Sequence, residues 1–316
     1  MKQHLSAIIS AVSVIVAALC LFRVMDLETR IHSLENDVNN GFSRIEGTVN
    51  GISYNVRSAL EEQTKILSAS DWEYAGYDAE KRTAEITCSV TPKEYRPGKT
   101  TAVLLLDGKE IPMQLENGAF TAAFDIPLFE NTEATQIAFT DDDVIRTEQL
   151  GWSFYPRNEL LPTVYADLHG SVSYTPIGGK VQWSSTGVVE VNMEMNSKES
   201  RTDIVSLQLL RYLDGTLTET IDMLAPNDEL IVEKSEYHHF YSLPLERKYE
   251  IPFGSTQKLY VAAQDEQGLY YVTPIDQVTV DSKGSPDRSA NTRYWESDIY
   301  NKKGTLIYAV DESLYK

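Results

Sequence analysis

Two imidazoles and two phenols fall within five residues, Tyr237-His238-His239-Phe240-Tyr241. Imidazoles flanked by phenols suit two tasks: holding a metal ion, or stacking on a sugar ring while hydrogen bonding its hydroxyls. Adjacent residues on a strand point to opposite faces. His238 and His239 therefore make a poor pair of ligands to one metal. Of the two tasks, ligand contact through Tyr237, His238, His239 and Tyr241 is the better fit; the plainer expectation is an insertion strand whose aromatics pack while its histidines face solvent, and no metal or cofactor is implied.

Other constellations carry less. Asp141-Asp142-Asp143 has the oxygen chemistry of a calcium site but lacks the spaced Asp-x-Asp pattern with a following Glu, so it reads as an acidic hairpin tip. Gly178-Gly179-Lys180 lacks the four-residue spacer of a phosphate loop. Serine, histidine and acids are all present, but no Gly-x-Ser-x-Gly context places them as a hydrolytic set. These observations point to a protein that is not an enzyme.

The framework around Tyr237–Tyr241 is built of strands. Ala84, Ile86, Cys88 and Val90 alternate with polar residues, the period of a half-buried strand. Thr101–Leu106 is apolar and closes at Asp107-Gly108, and Ile111–Leu115 and Ala119–Ile126 flank Asn117-Gly118. Such dipeptides between apolar runs are strong hairpin signals. Thr135–Phe139 and Val144–Leu150 form a closing hairpin around the acidic tip.

A second set repeats the order. Val164–Tyr174 is broken at Gly170, and Val189–Met195 alternates. Ile204–Leu213 is apolar and closes at Asp214-Gly215 before Thr216–Leu224. Lys258–Ala263 and Leu269–Val280 flank a turn at Asp265–Gly268. The segment from Ala225 to Ile251, which holds the His-bearing stretch, reads as an insertion. The expectation is a mainly β chain with two sandwiches, 69–158 and 159–282, immunoglobulin-like in architecture only, since no Cys–Trp–Cys framework is present. Residues 283–316 read as a linker and a terminal hairpin.

Ahead of the strands lies a different pattern. Leu5–Phe22 is an uncharged apolar run, near the lower limit for a membrane-spanning helix of roughly 30 Å. It follows a stub at 1–4, and no small-x-small cleavage site ends it. The expectation is an uncleaved signal anchor over 5–23 in the cell membrane, with the bulk of the chain outside the cytoplasm. From Leu27 the apolar residues step by four and three: Ile31, Leu34, Val38, then Phe42, Ile45, Val49, Ile52 and Val56, with a stutter after Val38. Ala59, Gln63 and Ile66 continue the pattern. This predicts a coiled-coil stalk over 24–68, released through a hinge at Leu67–Ser70, and hence a homo-oligomer.

Charge narrows the partners. Residues 1–68 hold 6 basic and 7 acidic residues, leaving 22 and 40 in the remainder, where nearly all of the net −19 resides. An acidic surface of that kind disfavours nucleic acid. The two cysteines, Cys20 and Cys88, fall in the apolar run and in a strand, so they do not pair. The absence of a disulfide framework and of any Asn-x-Ser/Thr acceptor fits a bacterial envelope protein. The sequence thus points to an anchored protein that displays β domains for interaction or assembly with an envelope protein or glycan. Carbohydrate binding and an unfamiliar envelope-polymer enzyme are the alternatives.

Overall fold

The fold is that of a computed structural model describing residues 2–225, 229–289 and 296–311, with the side chains of residues 2–22, 24, 29, 37 and 58–63 left out. The chain divides into two compact units, Met1–Lys65 and Ile66–Lys316.

The first unit is one helix, α1, Lys2–Thr64. At 1.5 Å per residue it runs about 95 Å. Among the described residues no helix is long and apolar enough to cross a membrane; the expected span at Leu5–Phe22 falls outside the described side chains. The helix stops at Thr64, two residues short of Ile66. The Ile66 and Leu67 backbone N–H groups both donate to the Glu148 carboxylate, at 2.7 and 2.8 Å. Leu67 is buried, and Ile66 packs against the β core. The hinge read at Leu67–Ser70 is instead the start of a strand.

The second unit is mainly β. Its first seven strands are β1 (Leu67–Asp78), β2 (Thr83–Pro92), β3 (Thr101–Leu106), β4 (Lys109–Glu116), β5 (Ala119–Pro127), β6 (Thr132–Asp141) and β7 (Val144–Phe154). They pair in the order β1-β2-β5-β4-β3-β6-β7. Strand β4 is the corner: Lys109–Met113 pairs with β3, and Gln114–Glu116 with β5. A single-turn helix, α2 (Pro156–Leu160), then leads to β8 (Thr163–Ile177) and β9 (Lys180–Glu194).

Strands β10 (Ile204–Leu213), β11 (Thr216–Asp222), β12 (Ile231–Lys234), β13 (His238–Pro252), β14 (Thr256–Asp265) and β15 (Tyr270–Val280) follow. The short β16 (Pro286–Asp287), β17 (Asp298–Tyr300) and β18 (Leu306–Tyr308) end the chain. One sheet runs β11-β10-β14-β15-β17-β18 with β16 on β15, and a second runs β12-β13-β9-β8.

The pairing repeats. β1-β2-β5 matches β8-β9-β13, and β4-β3-β6-β7 matches β11-β10-β14-β15. What is one corner strand in the first set is two strands, β11 and β12, in the second. The stretch read as an insertion therefore contains a regular strand, β13, inside the four-stranded sheet. The hairpin tips repeat in detail. Asp107 and Gly108, and Asp214 and Gly215, all have positive φ, the geometry of a tight two-residue turn. In each tip the Asp carboxylate accepts a backbone N–H from the neighbouring strand region, Glu133 at 3.1 Å and Thr256 at 2.8 Å.

Alternation explains the core. On β3 the even residues Ala102, Leu104 and Leu106 are buried, and on β9 so are Val181, Trp183, Val189, Val191 and Met193. Fully burying a side chain such as Leu104 or Phe139 contributes about 1.5–3 kcal/mol. One apolar cluster runs through both sets of strands. The terminal hairpin helps join them. β17 pairs with β15, while Tyr308 on β18 stacks on Phe129 at 5.2 Å, and the Leu306 carbonyl accepts from Arg82 at 2.7 Å.

Candidate functional site

The residues expected to contact a ligand do not share one face. On β13 the alternation exposes His238, buries His239, half-buries Phe240 and buries Tyr241. The His238 ring lies 3.2 Å from the Asn192 side chain. Tyr237 precedes the strand and accepts a hydrogen bond from Arg201 at 2.6 Å, while the same guanidinium stands 4.7 Å above its ring. Buried His239 faces Asp203 at 3.4 Å, and Asp203 also takes Lys234 at 2.7 Å. The hydrogen bond to Lys234 holds the Asp203 carboxyl below its usual range. Burial depresses the His239 imidazole, against the opposing pull of Asp203. The stretch joins β9, β12 and β13; it exposes Tyr237 and His238, half-buries Phe240 and buries His239 and Tyr241.

The other sequence candidates are accounted for locally. Asp141 and Asp142 are ion-paired with Arg96 at 2.7 and 3.2 Å. Gly178 and Gly179, both at positive φ, form the turn between β8 and β9. Among the described residues no group of three or more His, Cys, Asp or Glu is arranged to hold a metal ion. Cys88 is buried, its thiol pushed up to about 11 by desolvation.

On α1 the stripe is exposed from Leu27 to Val56; Ala59 and Gln63 lie outside the described side chains, and Ile66 packs on the β core. Leu27, Ile31, Leu34, Val38, Phe42, Ile45, Val49, Ile52 and Val56 are each at least 53% exposed in the single chain.

Several hollows mark the described part of the β unit, and two of them lie beside the terminal hairpin. One, of about 850 Å³, lies where the end of β1 (Tyr74–Asp78) meets the β14–β15 turn and the terminal hairpin. The other, of about 680 Å³, is a trough on the outer face of the β10-β14-β15-β17 sheet. Four tyrosines line it: Tyr212 on β10, Tyr260 on β14, Tyr270 on β15 and Tyr300 on β17. Alternation sets this face. Leu207, Leu209, Leu259, Val261 and Tyr271 turn into the core. Their neighbours Gln208, Leu210, Lys258 and Val272 turn outward with the tyrosines. Tyr212 and Tyr260 meet edge to face at 5.6 Å, and Tyr270 stands directly across from Tyr300. Burial raises the Tyr300 phenol, reinforced by Asp298 and by Tyr212.

The trough is not legible in the sequence because its tyrosines lie on four strands spread over about ninety residues, and only pairing brings them together. The available signal was the outward half of each alternation, Gln208-x-Leu210-x-Tyr212 and Lys258-x-Tyr260-x-Ala262, where a solvated face would carry mostly polar residues. No protein-family model matches the chain, and no curated protein matches it.

Proposed function

We propose that this chain is a non-enzymatic, single-pass membrane-anchored envelope protein that self-associates through α1 and displays tandem immunoglobulin-like β-sandwich domains, 69–158 and 159–282, for interaction or assembly outside the cytoplasm. The exposed stripe from Leu27 to Val56 carries the reading. Nine apolar side chains at coiled-coil spacing, each more than half exposed, ask for a partner surface. Burial of even half of them would contribute several kcal/mol at about 25 cal/mol per Å². A second copy in parallel register offers the same stripe at the same height. Gly41, Gly47 and Gly51 each weaken a lone helix by about 1 kcal/mol, so association is also what keeps α1 helical. The uncharged run Leu5–Phe22 supplies the anchor, and the bulky β cargo that follows it lies outside.

Protease added to intact cells tests the topology, and Leu34→Cys in full-length chain tests the seam. The reading expects digestion of the β unit without lysis and a disulfide-linked dimer on mild oxidation. Protection until lysis, or failure of the Leu34→Cys chain to cross-link, would overturn it.

A further inference from the structure

We propose that the tyrosine trough on the β10-β14-β15-β17 sheet is a binding site for a neutral oligosaccharide. The inference rests on the reading of the β unit as a binding module, and it names the ligand class. The hollow, about 680 Å³, falls within the roughly 300–1,000 Å³ of small-ligand sites. Its walls are phenols from four strands, and its floor between them is short and apolar at Leu210, Ala262 and Val272. A pyranose presents a flat C–H face to such rings and a rim of hydroxyls to their polar ends.

Polar groups stand where those hydroxyls would fall. Gln208 offers an amide, and Lys258 and Lys302 offer ammonium donors. Asp298 is oriented by the Val310 N–H on its Oδ1 at 2.9 Å, and a carboxylate has acceptor capacity beyond one bond. The lining carries two cations and one anion, a formal +1, within a strongly acidic unit: the lysines oppose a cationic ligand, and the field of the surrounding unit opposes an anionic one.

The same facts disfavour a peptide. β14 is paired on both sides, by β10 and β15, so the trough offers no free backbone edge for an added strand. A proline-rich helix would fit the rings, but proline has no N–H to donate to Asp298. The terminal hairpin supplies Tyr300, Lys302 and Gly304 as one wall, so the hairpin completes the site.

The test is calorimetry and affinity electrophoresis on the full chain in a sugar-free zwitterionic detergent. The probes are hexaoses of β-1,4-glucose, β-1,3-glucose, α-1,4-glucose and β-1,4-N-acetylglucosamine, with a deca-proline peptide alongside. At least one hexaose should bind, with Tyr260→Ala and Tyr270→Ala each weakening it about tenfold or more. Tyr260→Phe and Tyr270→Phe, which keep the rings, should stay within a few-fold, and Tyr237→Ala should change nothing. No binding of any hexaose at millimolar concentration, binding indifferent to the alanine changes in folded variants, or binding of the proline peptide in place of the sugars would each overturn the site. None of these outcomes alters the oligomeric state, so failure here is separable from failure of the stalk.

Discussion

The indole N–H of Trp183 donates to the carboxylate of Asp276 at 2.9 Å, and both side chains are buried. Trp183 belongs to β9 and Asp276 to β15, so the bond fastens one sheet of the second set to the other. Arg288 closes the arrangement at 2.8 Å on the second oxygen of Asp276, and Tyr249 stacks on the indole at 5.3 Å.

Removing the carboxylate leaves the buried indole N–H without its acceptor, while the Arg288 side chain, 44% exposed, can turn to water. Asp276→Ala should therefore destabilise the protein by about 1–3 kcal/mol. Asp276→Asn, which keeps an acceptor for Trp183, should cost less than half of that. Chemical denaturation followed by tryptophan fluorescence measures both; equal losses would mean that the cavity, and not the polar contacts, dominates.

Gly170 and Gly187 face each other across β8 and β9. A Cβ on Gly187 would come within 2.1 Å of the His169 carbonyl oxygen, and one on Gly170 within 2.5 Å of the Gly187 Cα. Gly187→Ala should cost about 1–3 kcal/mol or more, as over-packing does, whereas Gly215→Ala, at an open hairpin tip, acts only through its positive φ. Thermal melting of the two variants checks the order, and a Gly187→Ala protein as stable as the parent would contradict it.

Glycine also shows where the sequence misled. Gly170 reads as a strand break, yet the strand passes straight through it, because its partner is a second glycine and the two backbones approach closely. Asp107-Gly108, Asn117-Gly118 and Asp214-Gly215 were legible as turns, since each needs the left-handed conformation those residues tolerate. β1 was not, because most of its residues from Ala69 to Glu73 are exposed and leave little apolar alternation. Nor was the role of Tyr241: a phenol in an aromatic run looks the same on paper whether it turns inward or outward, and register decides.

His239 gives the β unit a pH dependence of known sign. Its folded pKa is depressed below 6.5 by burial, so the unfolded chain takes up the proton first. The associated stability is fully present above pH 6.5 and is lost as pH falls through the folded value. Asp203 pulls the other way, and Lys234 and His238 reinforce the depression. The melting temperature should drop as pH falls below about 6.5, by about 2–4 °C for each kcal/mol lost. His239→Gln should flatten that slope; an unchanged slope would place the dependence elsewhere.

The stalk carries the account. Leu27 and Leu34 at d with Ile31 and Val38 at a favour a parallel dimer, while Ile45 and Ile52 at d shift the balance toward a trimer. Sedimentation equilibrium of the full chain, in a density-matched sugar-free detergent, reads the number of copies directly. At tens of micromolar protein the account predicts a dimer or trimer that falls to monomer in the Ile45→Asp, Ile52→Asp double variant. A monomer in the parent chain, or an oligomer indifferent to both substitutions, would contradict it.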